Sequence, residues 1–294
     1  MDQIFQQLIN AISLGSIYAL IALGYTMVYG IIQLINFAHG DVLMVGAYIG
    51  YFSMTAFHLG FFPSLLAAML GCTALGVIIE RVAYRPLRNS TRIAVLITAI
   101  GVSLLLEYTM MYFVGARVRA YPTLPGYLTG KFHIGGVSIS YLQIMVVAVS
   151  VALMIILQFI VRRTRVGKAM RAVSQDADAA RLMGINVDNT ISLTFALGSA
   201  LAGAAGVLYG VTYTSINPLM GIMLGLKAFV SAVFGGIGLI PGALVGGFGI
   251  GTIETIAGAT GISMFRDAVV FAVLIIILII KPAGLLGKNT REKV

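Results

Sequence analysis

Five ionisable residues, His39, Asp41, Glu107, Lys227 and Glu254, sit within stretches of the chain that are otherwise almost wholly apolar. An ionisable group at membrane depth is expensive unless it is paired or faces water, so each is a functional suspect. Two chemistries fit. One is a proton or ion relay, which would make the chain a secondary transporter. The other is structural pairing, for instance of Lys227 with Glu254 or Asp41. The groups are few, and three lie near the ends of apolar runs, where a side chain can reach the interface. Three scattered histidines give no metal-ligand cluster, and the single cysteine, Cys72, rules out an internal disulfide.

Two glycine motifs invite comparison with phosphate-binding loops. FGGIGLIPG (234–242) follows no strand, and Pro241 stands where a dinucleotide fingerprint needs its third glycine. A broken helix lining a cavity suits glycines with a proline at membrane depth better. GLLGKNT, near the last residue, has the wrong glycine spacing for a phosphate loop. Neither motif gives the chain an ATP site of its own, and no cofactor is expected.

The elements that must hold these residues follow from composition. The chain is 59% hydrophobic and 10% charged, against about 25% charged in soluble domains. Nine apolar runs, at about 8–29, 39–57, 62–80, 93–114, 141–161, 190–213, 221–240, 243–258 and 266–281, are candidate helical spans of a bilayer. The expected class is therefore an all-α polytopic membrane protein with about eight to nine transmembrane or re-entrant helices. One stretch between 217 and 258 is a candidate re-entrant segment. A β-barrel would show alternating strands rather than continuous apolar runs. MDQIFQQLIN lacks a basic leader region and a small-residue cleavage site, so no removable signal peptide is expected. The net charge of +9 sits in short loops between spans, which fits orientation by the positive-inside bias rather than nucleic-acid binding.

Four arginines in ERVAYRPLRNSTR (80–92) and six basic residues in 162–181 place both loops on the cytoplasmic side. The loop 115–140 then lies outside, as does the start of the chain. In that outer loop Phe132 and Ile134, then Val137 and Ile139, alternate with polar residues around Gly135-Gly136, the mark of a β-hairpin. It is either a plain external loop or a docking surface for an extracytoplasmic partner.

LGSIYALIALGYTMVYGIIQLIN (14–36) resembles LGSALAGAAGVLYGVTYTSIN (197–217). By the loop assignment the first copy runs inward and the second outward, as in an inverted repeat. The halves would be about 8–114 and 190–281. Asn36 and Asn217 close the two copies, and with His39 and Asp41 they are the candidates for helix breaks beside a translocation path. Gly198, Ala202, Gly206 and Gly210 recur every fourth residue, and Gly242, Gly246 and Gly249 form a similar stripe. Each is a face where another backbone can approach closely, within the chain or across subunits.

Between the halves lies a charged loop, 162–189. Val166, Met170, Val173, Ala177, Ala180 and Met183 fall on one helical face. Ser174 or Asp176 can cap a new short helix, and Gly184 can stop it. A face made mostly of alanine suits the groove of a partner protein better than lipid headgroups do.

Asp178-Ala179-Ala180-x-x-x-Gly184 is similar to the E-A-A-x-x-x-G loop of binding-protein-dependent ABC importer permeases, with Asp in place of Glu. With GSIYALIALGYTMVYGIIQLINFAHGD, IERVAYRPLR, MGINVDNTISLTFALGSALAGAAGVLYG, GGIGLIPGALVGG and KPAGLLG, nearly the whole chain resembles the permeases of branched-chain amino acid importers. The resemblance implies a bacterial inner-membrane subunit working with a homologous second permease, two cytoplasmic ATPases that bind the ATP, and an extracytoplasmic binding protein that delivers Leu, Ile or Val. It implies that Asp178, Ala179, Ala180 and Gly184 form the ATPase-coupling loop. Related permeases for urea, short amides or sugars stay open, as does a stand-alone ion-coupled transporter.

Overall fold

A computed structural model describes residues 2–33, 36–88, 90–124, 130–134, 136–260 and 263–287. The fold is helical, with α1 (Asp2–Ile32), α2 (His39–Thr55), α3 (Phe61–Ile79), α4 (Arg92–Val114), α5 (Tyr141–Arg163), α6 (Arg165–Gln175), α7 (Ala177–Leu182), α8 (Val187–Tyr213), α9 (Met220–Gly235), α10 (Ile240–Ala259) and α11 (Arg266–Ile280). α3 continues through a π turn, Glu80–Tyr84, and a 3-10 turn, Arg85–Leu87. Short strands β1 (Arg119–Ala120) and β4 (Ser215–Ile216) pair antiparallel, and β2 (Lys131–Ile134) pairs with β3 (Val137–Ser140) as the expected hairpin, Phe132 opposite Ile139.

Seven helices among the described residues are long and apolar enough to cross a membrane. The chain is an all-α polytopic membrane protein. α11 is among the seven together with the 3-10 turn Ser263–Phe265 that leads into it. Two of the nine expected spans fall short. α2 has 17 residues and α9 has 16, about 24–26 Å at 1.5 Å per residue, less than the roughly 30 Å of hydrocarbon. Apolar composition continued past the real helix ends and hid this. Each short helix follows a break in the chain, α2 after Asn36 and α9 after Asn217.

Burial divides the helices into an inner and an outer set. The most apolar window is 94% buried in α1 and 83% in α8, but only 17% in α4, 22% in α5 and 6% in α11. Helices that are apolar all round are either core or lipid-facing, and small residues decide which. α1 runs antiparallel along α10, with Gly15 against Phe248 and Gly30 beside Gly238, and α8 runs antiparallel along α3, with Gly203 against Cys72 and Gly76 against Ser199. α1 meets α8 where Gly24 faces Gly198. α2 lies on α8, α9 lies on α1, and α2 touches α9. Exchanging α1 with α8, α2 with α9 and α3 with α10 returns the same set of neighbours.

The stripe on α8 packs within the chain. Gly198 faces Gly24 of α1, Ala202 is fully buried, Gly206 lies on the backbone of Leu43 and Ala47 of α2, and Gly210 lies under the Tyr121 ring. A Cβ on Gly206 would stand 2.8 Å from the Ala47 nitrogen, too close for any rotamer to relieve. Gly242 and Gly246 abut the α9 backbone at Gly235, so that stripe closes the α9–α10 hairpin, while Gly249 meets the Phe234 ring.

The bundle has two distinct ends. At one, the Gln6 side chain accepts from Ser138 N at 2.9 Å and Tyr121 N donates to Thr214 O at 2.9 Å, gathering the start of α1, the hairpin and β1–β4. At the other, Arg171 of α6 and the 282–287 segment lie near the 236–239 turn, and Arg85 and Arg88 pair with Asp188 at the start of α8. The FGGIGLIPG motif is a tight turn between α9 and α10, with Gly236 at φ 112° and Gly238 at φ 89°. These are conformations that glycine adopts without a Cβ clash. KPAGLLG caps it: Leu285 N and Leu286 N donate to Phe234 O and Gly235 O at 2.9 and 3.0 Å. FGGIGLIPG and the GLLG part of the second motif are thereby occupied in ending one helix, while the KNT part lies outside the described residues.

Candidate functional site

The two asparagines begin the two short helices in the same way. Asn36 O accepts from His39 N at 3.1 Å to open α2, and Asn217 O accepts from Met220 N at 3.2 Å to open α9. Their side chains differ in use. Asn36 is buried, and its Oδ1 accepts from the Tyr84 hydroxyl at 2.9 Å. Asn217 is half-buried, and its Oδ1 accepts from Leu219 N at 3.0 Å, a local turn.

The starts of α2 and α9 press together. A Cβ on Gly40 would come within 2.8 Å of Gly225 Cα, and one on Gly221 would strike Asp41. His39 lies beside Gly24, with the Tyr25 ring edge-on at 4.7 Å between centroids. Asp41 is 1% exposed, and its Oδ2 accepts from Ser103 of α4 at 2.5 Å. Asp41 Oδ1, Glu107 Oε1 and His39 Nε2 are buried, with the Asp41 and Glu107 carboxyls lying against each other. Asn36, His39 and Asp41 thus converge where the two short helices meet, and Asn217 marks the outer edge of that meeting. Helix starts carry free N–H groups and partial positive charge, so a carboxylate there is well placed.

Of the two partners considered for Lys227, the structure selects Glu254, at 2.7 Å, and adds Asp267 at 2.6 Å. Tyr18 donates to the other Glu254 oxygen at 2.8 Å. Asp41 is not part of this network. Asp267 went unremarked in the sequence because it opens the last apolar run. Among the described residues no three His, Cys, Asp or Glu side chains are grouped to hold a metal.

The charged loop folds as two helices, α6 and α7, rather than one. Asp176 ends the first and caps the second, its Oδ1 accepting from Asp178 N and Ala179 N at 2.9 Å each. The expected single apolar face is corrected in part. Met170, Val173 and Ala180 are buried within the chain, but Met183 is 82% exposed and Val166 36%. The break at Asp176 rotates the second helix relative to the first. Ala180 consequently faces its own protein, while Asp178, Ala179, Leu182 and Met183 point outward. Gly184, at φ 82°, is the expected stop.

Next to this segment lies a cluster that sequence reading passed over. Arg85 and Arg88 both pair with Asp188 in the first turn of α8, Arg88 also pairs with Glu80, and Ser192 donates to Glu80 Oε2 at 2.5 Å. Glu80 had been counted as loop, yet it is wholly buried. The spacing of Glu80, Tyr84 and Arg88, four apart, was the available signal.

A family model described as branched-chain amino acid transport system / permease component matches residues 7–278. The chain belongs to this family. It is 44% identical over 299 residues to the high-affinity branched-chain amino acid transport system permease protein BraD of Pseudomonas aeruginosa, covering 98% of this chain and 97% of that one. It is 44% identical over 302 residues to the corresponding protein LivH of Salmonella typhimurium, with the same coverage. The family places the helical bundle among transport permeases.

Proposed function

We propose that this chain is the membrane-spanning permease subunit of an ATP-driven importer for branched-chain amino acids in a bacterial inner membrane. A homologous second permease completes the path, two cytoplasmic ATPases hydrolyse ATP, and an extracytoplasmic binding protein delivers Leu, Ile or Val. The observation that carries this reading is end-to-end likeness to two branched-chain amino acid permeases, covering 98% of this chain. Substrate choice rests mainly with the binding protein, because a path must hold its cargo weakly enough to release it.

In this reading the α7 segment, with Asp178, Ala179, Ala180 and Gly184, contacts the ATPase. The exposed side of α7 supports that role: Leu182 is 88% exposed beside Met183, on a six-residue helix fixed behind by buried Ala180. The meeting of α2 and α9, with Asn36, His39 and Asp41 and with Asn217 at its edge, lies beside the path. Cavities of about 600 and 520 Å³ open at opposite ends of the α1–α10 seam, the first lined by Gln3, Gln6, Gln7 and Thr252, the second by Tyr29, Gln33 and Gly238. Each is large enough for a leucine.

Co-purification of the chain with ATPases, followed by uptake in vesicles, tests the reading. Leucine uptake that needs both internal ATP and the binding protein is expected, with no uptake of urea or ribose. Leucine uptake by this chain alone under a proton gradient would replace it with an ion-coupled transporter, in which Asp41 and Glu107 would be the first groups to examine.

A further inference from the structure

We propose that the turn 80–88 is the mechanical link between the α7 segment and the helix break at Asn36, with Tyr84, Arg88 and Asp188 as its positioning residues. The inference rests on the reading of α7 as the ATPase contact.

The link can be followed bond by bond. α7 ends at Leu182, Gly184 turns the chain, and Ile185 N returns to Ala180 O at 3.0 Å, so α7 is tied directly to the start of α8 at Val187. Ala180 and Val187 are both buried. A displacement of α7 therefore reaches the first turn of α8 with little slack between them. That turn is held by the loop 80–88. Both Asp188 oxygens are taken, one by Arg85 and one by Arg88 Nη1 at 2.5 Å. One helical turn on, Ser192 donates to Glu80. Arg88 spans the two carboxylates, binding Glu80 with one amino group and Asp188 with the other.

The same loop reaches the break. Tyr84 closes the π turn that begins at Glu80, and the 3-10 turn that follows leads directly to Arg88. The Tyr84 ring lies on Phe195 of α8, 5.2 Å between centroids, and its hydroxyl donates to Asn36 Oδ1. Asn36 in turn holds the first amide of α2. The Arg88–Glu80 pair is buried on its Glu80 side, where charge-assisted bonds are strong, while the Asp188 pairs lie at the surface and act by geometry. A cluster serving only to neutralise Glu80 would need Arg88 alone. The extension from Tyr84 to Asn36 makes it continuous from the charged loop to the start of α2.

Spatial continuity does not by itself establish coupling, so the test uses two readouts. In the complex with its ATPases and a leucine-loaded binding protein, leucine uptake and ATP hydrolysis are measured in the same vesicles. Tyr84→Phe removes one hydroxyl, and Asp188→Asn keeps the shape of its side chain. Each is expected to leave ATP hydrolysis running while leucine moved per ATP falls about threefold or more. The double variant should resemble the worse single one, because both cut one line. An unchanged ratio in both singles, or losses that simply multiply, overturns the proposal. The second readout needs no ATPase. In the solubilised chain alone, Asp188→Asn should speed hydrogen exchange at the first amides of α2, and no longer do so in a Tyr84→Phe background. Unaltered exchange there overturns the link directly. Failure of the wild-type complex to use ATP for leucine uptake would instead tell against the reading of α7.

Discussion

The two halves of the bundle carry buried charge at matching contacts and treat it differently. In the second half, where α9 meets α10 and α11, Lys227 lies between Glu254 and Asp267, and Tyr18 takes the remaining Glu254 oxygen. In the first half, where α2 meets α4, Asp41 accepts from Ser103 and lies against the Glu107 carboxyl, and neither carboxyl forms an ion pair among the described residues. A satisfied network in low dielectric makes a rigid joint, whereas an incompletely satisfied one loses that rigidity and is usually kept for function. The second half is thus built as the fixed wall. In the function proposed above, the first half then holds the polar groups beside the path.

The largest effect that would test this contrast is at Lys227. Lys227→Met should strand Glu254 as an uncompensated buried charge and destabilise the protein by about 3–5 kcal/mol. Loss of the monodisperse peak in detergent would show it. Adding Glu254→Gln should restore much of the stability, since the fully buried charge is then gone and the remaining partner, Asp267, is 48% exposed and reaches water. A single variant that stays fully folded would mean the network is not a lock.

Next in size is the packing on which both halves depend. Gly206→Val places a branched side chain against the Leu43 and Ala47 backbone, and overpacking of this kind costs about 1–3 kcal/mol or more. The thermal midpoint in detergent should fall clearly, and more than for Gly101→Val, where a Cβ meets nothing within 4 Å. Equal shifts at the two positions would remove the distinction between inner and outer helices.

At Asp41 a different outcome is expected. Asp41→Asn keeps an acceptor for Ser103 and removes a charge that no cation offsets, so stability should change by less than about 1 kcal/mol, while uptake in the complex falls. Comparing Asp41→Asn with Glu254→Gln by thermal unfolding and by uptake sharpens the contrast. If both variants lose stability together, the two sites are alike and the halves are not divided into wall and path.

How much of this could be read from the sequence depends on the range of the interaction. Helix class, the hairpin at 131–140, the Asp176 cap and the Gly184 stop are local, and the residues announce them. The small-residue stripe at Gly198–Gly210 was legible as a close-contact face, but its partners in α1, α2 and around Tyr121 were not, because they come from distant parts of the chain. The lengths of α2 and α9 were hidden, since apolar residues continue past both ends. The Lys227–Asp267 pair and the Glu80–Arg88–Asp188 cluster are products of tertiary approach. Composition near the span ends gave no hint that Glu80 would be buried.

The smallest expected change in stability is on the outer face of α7, where the expected alanine face and the observed orientation diverge. Ala180 is buried within its own chain, so Ala180→Arg should damage the permease itself, by about 1–3 kcal/mol, rather than only its contact with a partner. Leu182 and Met183 are exposed, and surface changes away from special features usually stay within about 0.5 kcal/mol. Leu182→Ser should therefore leave the thermal midpoint of the isolated chain in place, yet reduce substrate-stimulated ATP hydrolysis in the complex. The pair of measurements separates the two faces of one short helix. If Ala180→Arg is stable alone and fails only in the complex, Ala180 faces the partner after all. If Leu182→Ser is silent in both, α7 is a solvated surface helix and the ATPase docks elsewhere on the basic end.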